Sequence, residues 1–195
     1  MNKQETQYFR DHWQPNWDNK KHSGWALLEK FKPTDIILDI GCGTNPLKDK
    51  LGDQVYGIDP AFDEADEVIT WEEYKPHQEY NVFLCLGSLN FGTTDEIEMQ
   101  LEKLAEHTKT GDRIYWRQNT FGNDHPWHED SGKVRFFPWS RDKNTFYCNK
   151  YNFTLKDIQD DATNRLYAEW VKNYRLIQFF PISALISGSI CIIMM

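Results

Sequence analysis

The chain is 195 residues long, 39% hydrophobic and 15% aromatic, with a mean hydropathy of −0.72. That length holds one ordinary domain with a real core. Against 30 Asp and Glu stand 22 Lys and Arg, a formal charge of −8, which argues against a broad nucleic-acid footprint, because neutralising phosphates needs clustered cations.

The first 34 residues read as a helical preface, 35–173 as the main domain and 174–195 as an apolar tail. Residues 1–10 are polar, without the apolar core of a signal peptide. Trp13, Trp17 and Trp25 fall among polar residues, where Trp13 and Trp17 either form a lid over the main domain or pack against it. Lys20-Lys21-His22 is a short basic run that reads as a solvated face. Ser23 is placed to cap a helix through Trp25, Leu27, Leu28 and Phe31, and Lys32-Pro33 stops it.

Ile36-Ile37-Leu38 marks a buried strand over 35–40. A glycine turn over 41–46 and a short helical piece over 47–51 follow. Further strands are expected over 55–59, broken by Pro60, over 67–70, and over 80–86, ended by Gly87. Thr93-Thr94-Asp95-Glu96 is a capping box, opening a helix whose inner stripe is Ile97, Leu101, Leu104 and Ala105 and whose stop is Gly111. A fifth strand covers 112–118, a loop 119–139 and a helix about 140–151. The last two strands, 153–158 and 165–171, are joined by a polar stretch too short for a crossover helix, so they must be antiparallel. The expected fold is a three-layer α/β Rossmann-like sandwich, a mostly parallel seven-stranded sheet closed by an antiparallel C-terminal hairpin.

Residues 176–195 carry no charge and are mostly apolar, about the length of a membrane span, although Gln178, Pro181 and Gly188 weaken that reading. Three readings compete for this tail: a membrane segment, a buried terminal segment, or a stretch not native to the domain. Contact with a membrane is expected only there. The four cysteines, Cys42, Cys85, Cys148 and Cys191, are scattered with no Cys-x-x-Cys pair, which fits reduced thiols in the cytoplasm and argues against a zinc module.

The turn Leu38-Asp39-Ile40-Gly41-Cys42-Gly43-Thr44-Asn45-Pro46 follows a strand and precedes a helix. Gly41 and Gly43 permit close approach of a ligand, and the helix start is expected to offer free amides to a carboxylate. Asp59, ending the next strand, is placed to bind a ribose diol. Dinucleotides and S-adenosylmethionine share that arrangement. Position 46 is Pro, so the third glycine of a dinucleotide loop is missing. Asp39 beside the loop would repel a pyrophosphate and attract an ammonium and a sulfonium. The charge therefore favours S-adenosylmethionine and disfavours a nicotinamide-dependent oxidoreductase.

Residues 38–43 resemble the first motif of class I S-adenosylmethionine-dependent methyltransferases, and 55–59 their second. Asn164 to Trp170 sits where that family places an inserted last strand. The segments 87–92, 137–139 and 164–170 are similar to small methyltransferase-like proteins of tailed phages, which would place the chain in a host cytoplasm. The resemblance implies that Asp39, Gly41, Cys42 and Gly43 line the methionine end, that Asp59 holds the ribose, and that Pro60 or Ala61 lies near the adenine. It implies an adenine-side loop at Ile69, Thr70 and Trp71, and a wall at Leu86, Gly87 and Ser88. The acidic contact the family often has in its third region would fall to Asp66 or Glu72. The acidic-aromatic cluster of adenine-N6 DNA methyltransferases is missing. The implied activity is methyl transfer to a small-molecule or other non-nucleic-acid acceptor. The alternative is a cofactor-binding regulatory or scaffolding protein without transferase activity.

Catalytic residues are poorly marked, because the sulfonium already activates the methyl group. The loop after the fifth strand offers Arg117, Asn119, His125, Trp127, His128, Glu129 and Asp130. His125 or His128 would serve as general base, or merely cap turns. The spacing of His125, His128 and Glu129 is not that of a helical metal motif, and Pro126 breaks a helix there, so no metal is expected. Trp127, Phe136, Phe137 and Trp139 either wall an apolar pocket or pack the loop onto the sheet. Cys42 reads as a small residue that fits its turn, and Cys85 as an inert strand residue.

Overall fold

The computed structural model describes residues 3–13, 24–120, 134–161 and 165–174. Trp17, Ser23, the 20–22 basic run, His125, Trp127, His128, Glu129, Asp130 and the tail from 175 onward lie outside them. Among the described residues no helix is long and apolar enough to cross a membrane.

A single sheet organises these segments. Its strands are β1 (Ile37–Ile40), β2 (Val55–Ile58), β3 (Val82–Cys85), β4 (Arg113–Asn119), β5 (Phe153–Asp161) and β6 (Arg165–Lys172), in the order β2-β1-β3-β4-β6-β5. The first four run parallel, and β6 enters antiparallel between β4 and β5. Every residue of β1 and β3 is buried, as both faces of a covered parallel sheet require. The last two strands form the expected antiparallel pair, with β6 as an inserted strand.

The sheet has six strands among the described residues, where seven were expected. Residues 67–70 contribute only the parallel bridge Ile58↔Glu67. The reason is local. Asp66 and Glu67 both turn their amides onto the Gly57 carbonyl, so the chain closes a tight turn instead of extending a ladder. Val68 is left exposed, with nothing to bury it at this edge.

The helices are α1 (Lys3–His12), α2 (Lys48–Leu51), α3 (Thr94–Glu106) and α4 (Arg141–Lys150), with a 3₁₀ segment at Gly24–Lys30 where an α-helix was expected. One sheet face packs Leu27 and Leu47 against Ile37, Val82, Leu84, Tyr115 and Tyr167. The other carries the larger core, in which Trp116, Trp139 and Trp170 pack together with ring centroids 4.7–6.2 Å apart. Phe137 and Trp139 belong to this core, and so pack the sheet rather than wall a pocket.

Polar pins hold the outer layers in register. Lys103 of α3 donates to the carbonyls of Trp71, Glu72 and Tyr74 at 2.6–2.9 Å. Trp71 gives its indole N–H to Gln100 O and packs in the larger core. On α4, buried Asn144 exchanges two hydrogen bonds with Gln118 and accepts from Trp170 Nε1. The capping box forms as expected: Glu96 N–H donates to Thr93 Oγ1 at 3.3 Å and Thr93 N–H to Glu96 Oε2 at 2.6 Å. Thr93→Ala should therefore lower stability by about 1 kcal/mol in chemical denaturation, with the slope unchanged.

Candidate functional site

The glycine turn leaves β1 and folds back under β2. Gly41 and Gly43 take φ of 73° and 59°, which β-carbon-bearing residues rarely adopt. A side chain at Gly41 would begin 2.5 Å from Ser88 Cβ, and one at Gly43 would begin 2.6 Å from the Trp13 ring. Both positions are thus tightly covered, one by the end of β3 and the other by the residue after α1.

The turn satisfies its own backbone. Gly41 and Cys42 N–H both donate to Ile58 O, at 2.7 and 3.1 Å, and Gly43 N–H donates to Asp59 Oδ2 at 2.9 Å. Free amides were expected at the helix start that follows; the three amides of the turn itself are taken by Ile58 and Asp59. Cys42 points inward toward Gly57 and is buried, with burial and then Asp39 pushing its thiol far above the usual range. It can offer a ligand its backbone only. Cys85 is likewise buried and pushed up.

Two carboxylates dominate the turn. Asp39 is 2% exposed, and its Oδ2 has no hydrogen bond. Burial first, and then the neighbouring Asp59, raise it to about 7. Asp59 is also raised by burial, opposed by the amides of Ala61, Gly43 and Phe62. Its Oδ1 accepts from Ala61 N–H at 2.7 Å. Beside it Pro60 is half-buried and Ala61 buried. The two acidic candidates of the third region do other work. Asp66 Oδ2 accepts from Gly57 N–H and Asn45 Nδ2, with Lys48 on Oδ1, and Glu72 accepts from Gln100. Thr70 hydrogen-bonds Glu73, closing the turn after the edge bridge.

Opposite the turn, Leu86 packs on the inner core, Gly87 follows at φ 125°, and Ser88 abuts Gly41. Asn119 closes β4, fully buried, with neither side-chain amide atom hydrogen-bonded. Over this end of the sheet lies α1. Its Tyr8 and Phe9 pack with Ala61, Val134 and Phe136, while Trp13 and Phe62 meet edge to face at 5.3 Å. Arg10 Nε donates to Ala61 O at 2.9 Å. The preface thus both packs on the domain and roofs the glycine turn. The preface was expected to be helical, without bounds for α1, whose Glu5, Tyr8 and Phe9 share one helical face. Among the described residues no group of three His, Cys, Asp or Glu side chains could hold a metal.

A carboxylate with a raised pKa disfavours the folded state once the unfolded chain can ionise. Its cost is absent below the ordinary aspartate range, grows as pH rises toward 7, and is full above that. Asp39→Asn should therefore stabilise the ligand-free protein at pH 8 by more than about 1 kcal/mol, and the gain should vanish near pH 4, as thermal melts at the two pH values would show.

No protein-family model matches the sequence, and no curated protein sequence matches it. Solved structures do. The 1,6-didemethyltoxoflavin-N1-methyltransferase of Burkholderia thailandensis, crystallised with 1,6-didemethyltoxoflavin and S-adenosylhomocysteine, superposes with a TM-score of 0.59 at 14% identity, covering 72% of each chain. The magnesium protoporphyrin IX methyltransferase of Synechocystis, crystallised with S-adenosylhomocysteine, gives 0.58 at 16% identity over 76% of this chain and 78% of that one. An S-adenosylmethionine-dependent methyltransferase of Clostridium acetobutylicum gives 0.56 at 12% identity, over 71% and 84%. At this identity the likeness speaks for architecture, and the architecture of the chain is the Rossmann-like fold of class I S-adenosylmethionine-dependent methyltransferases.

Proposed function

We propose that the chain binds S-adenosylmethionine across the ends of β1 and β2 and transfers its methyl group to a small-molecule acceptor. The observation that carries this reading is Asp39, a buried carboxylate with an unbonded oxygen beside a glycine turn. Such a group calls for a cation. The cofactor has two, an ammonium and a sulfonium, whereas a dinucleotide would set a pyrophosphate against two carboxylates.

The other residues fit the same ligand. Gly87 leaves its backbone bare, while Gly41 and Gly43 bring Ser88 and Trp13 into contact with the turn. Asp59 has both oxygens on main-chain amides, and each oxygen keeps a lone pair for a ribose hydroxyl. Pro60 and Ala61 would border the adenine, with Thr70 further along that edge, while Leu86, Gly87 and Ser88 would form the opposite wall. When bound, the cofactor supplies an electrophilic methyl group on a positively charged sulfur. The protein's task is then to hold the acceptor in line and exclude water. Helix α1 and Trp13 serve the second purpose, lying over the turn. The toxoflavin and protoporphyrin enzymes among the structural neighbours support a small-molecule acceptor.

Calorimetry tests the reading. S-adenosylmethionine should bind and NAD should not; the reverse result sinks it. A bound cation favours ionised Asp39, so affinity should be level above pH 7 and fall below it, by up to about tenfold per pH unit. Asp59→Ala should weaken binding by more than about 1 kcal/mol through loss of charge-assisted hydrogen bonds. Cofactor binding with no transfer of labelled methyl to any small molecule of a cell extract would instead mark a binding protein without transferase activity.

A further inference from the structure

β4 ends on two adjacent amide side chains, and the fold treats them in opposite ways. Gln118 faces α4 and is paired at both ends: its Nε2 donates to Asn144 Oδ1 at 3.1 Å, and its Oε1 accepts from Asn144 Nδ2 at 2.7 Å. Asn119, by strand alternation, faces the other way, onto the side that carries Tyr115 and Leu86. It is as fully buried as Gln118, yet neither its Oδ1 nor its Nδ2 has a hydrogen bond. Such amides are rare in folded chains, because an unpaired polar group sealed from water carries its full desolvation cost.

The orphaned amide is firmly placed. The Asn119 carbonyl accepts from Trp139 N–H at 2.8 Å, and its N–H donates to Asn90 Oδ1 at 3.4 Å. Asn90 is itself fully buried and gives its Nδ2 to the Arg117 carbonyl at 3.1 Å. The main chain of Asn119 is thus fixed, and only its side chain is left without work. The position is informative too. Asp39 aligns with Leu84 across β1 and β3, and Leu84 with Tyr115 across β3 and β4, so Asp39 and Asn119 share one face of the sheet. Asn119 lies four residues beyond that row, about 13 Å further toward the carboxyl ends of the strands. A cofactor seated across β1 and β2 leaves the ends of β3 and β4 to the acceptor, in the crevice where open α/β sheets take ligands. The segment after β3 joins the two places: Ser88 abuts Gly41, and Asn90 holds Asn119.

A carboxylate would use only the N–H groups of this amide, and an amine only its carbonyl. A group with a donor and an acceptor side by side uses both, in a planar pair of hydrogen bonds, as asparagine does on the donor and acceptor edge of adenine. An open-chain secondary amide is trans and points its two groups apart. A lactam is held cis and presents N–H and C=O together. We propose that Asn119 sets acceptor specificity by holding the lactam edge of a small heterocycle. This assignment rests on the methyl-transfer reading, and it names the substrate class of that site as lactam-bearing heterocycles. The edge bound to Asn119 is kept from the sulfonium, so the methyl group goes to another atom of the ring. Entry requires local opening of this end of the sheet, since Asn119 and Asp39 are both buried.

The test uses the full chain saturated with S-adenosylhomocysteine, titrated to equilibrium with 2-pyridone, a minimal lactam, and with 1-methyl-2-pyridone, which lacks the N–H. Binding of S-adenosylhomocysteine is measured first; its absence marks failure of the methyl-transfer reading, and the two probes are then compared on the protein alone. The lactam should bind wild type at least about tenfold more tightly than its N-methyl analogue, because the analogue leaves the Asn119 carbonyl unpaired. Asn119→Ala and Asn119→Leu should each erase that preference, and circular dichroism verifies that they fold. The wild-type comparison stands without them. Lactam binding no tighter than that of the N-methyl analogue in wild type, or an undiminished preference in a folded N119A or N119L, overturns the assignment.

Discussion

A carboxylate buried at the end of a central parallel strand is the constraint on which this architecture turns. Asp39 lies in β1, flanked by β2 and β3 and covered on both faces. Its neighbour Asp59 adds a second negative charge at the same spot. A fold stores such a conflict only where the surroundings are rigid enough to hold it. Here they are. The turn amides are committed to Ile58 and Asp59, Gly57 lets Cys42 and Asn45 press close beneath, and Ser88 and Trp13 close over Gly41 and Gly43. In the proposed reading this bed is organised before the cofactor arrives, and the unbonded Asp39 oxygen is what its cation answers. Preorganisation of this kind lowers the ordering cost of binding.

The rest of the molecule keeps that end of the sheet in place. Lys103 ties the segment after the edge bridge to α3, and Asn144 ties α4 to β4 and β6. Both devices use polar groups that are fully paired, half-buried at Lys103 and buried at Asn144, so they specify register at little cost. Toward the other edge of the sheet, Arg117 donates to Asp161 with both side chains buried, and Arg165 Nη1 stands 3.8 Å from where a Gly87 side chain would begin.

Much of this was written locally. The run Ile36-Ile37-Leu38 announces a covered strand, Thr93 and Glu96 announce a helix start, and the short join before Arg165 forces an antiparallel pair. Asp39 and Asp59 were legible because their positions follow directly from a strand and a turn. What escaped was tertiary. The 67–70 segment has strand-like residues, but the edge offers Val68 no cover. The contact of Trp13 with Gly43, and of Arg165 with Gly87, joins residues far apart in the chain, and no periodicity records either. Arg117 was legible only as a polar residue beside a buried strand, and its pairing with Asp161 is made across the register of β6.

That register has a consequence for the order in which the protein assembles. β6 cannot take its place until β4 and β5 have both been made, yet it must end up between them. The glycine turn is encoded early in the chain. The Arg165 corner and the Trp116–Trp139–Trp170 packing are finished only when the last hairpin docks. Until that docking the outer side of β4 is an unpaired sheet edge beside Trp116, the kind of edge that invites pairing with another chain.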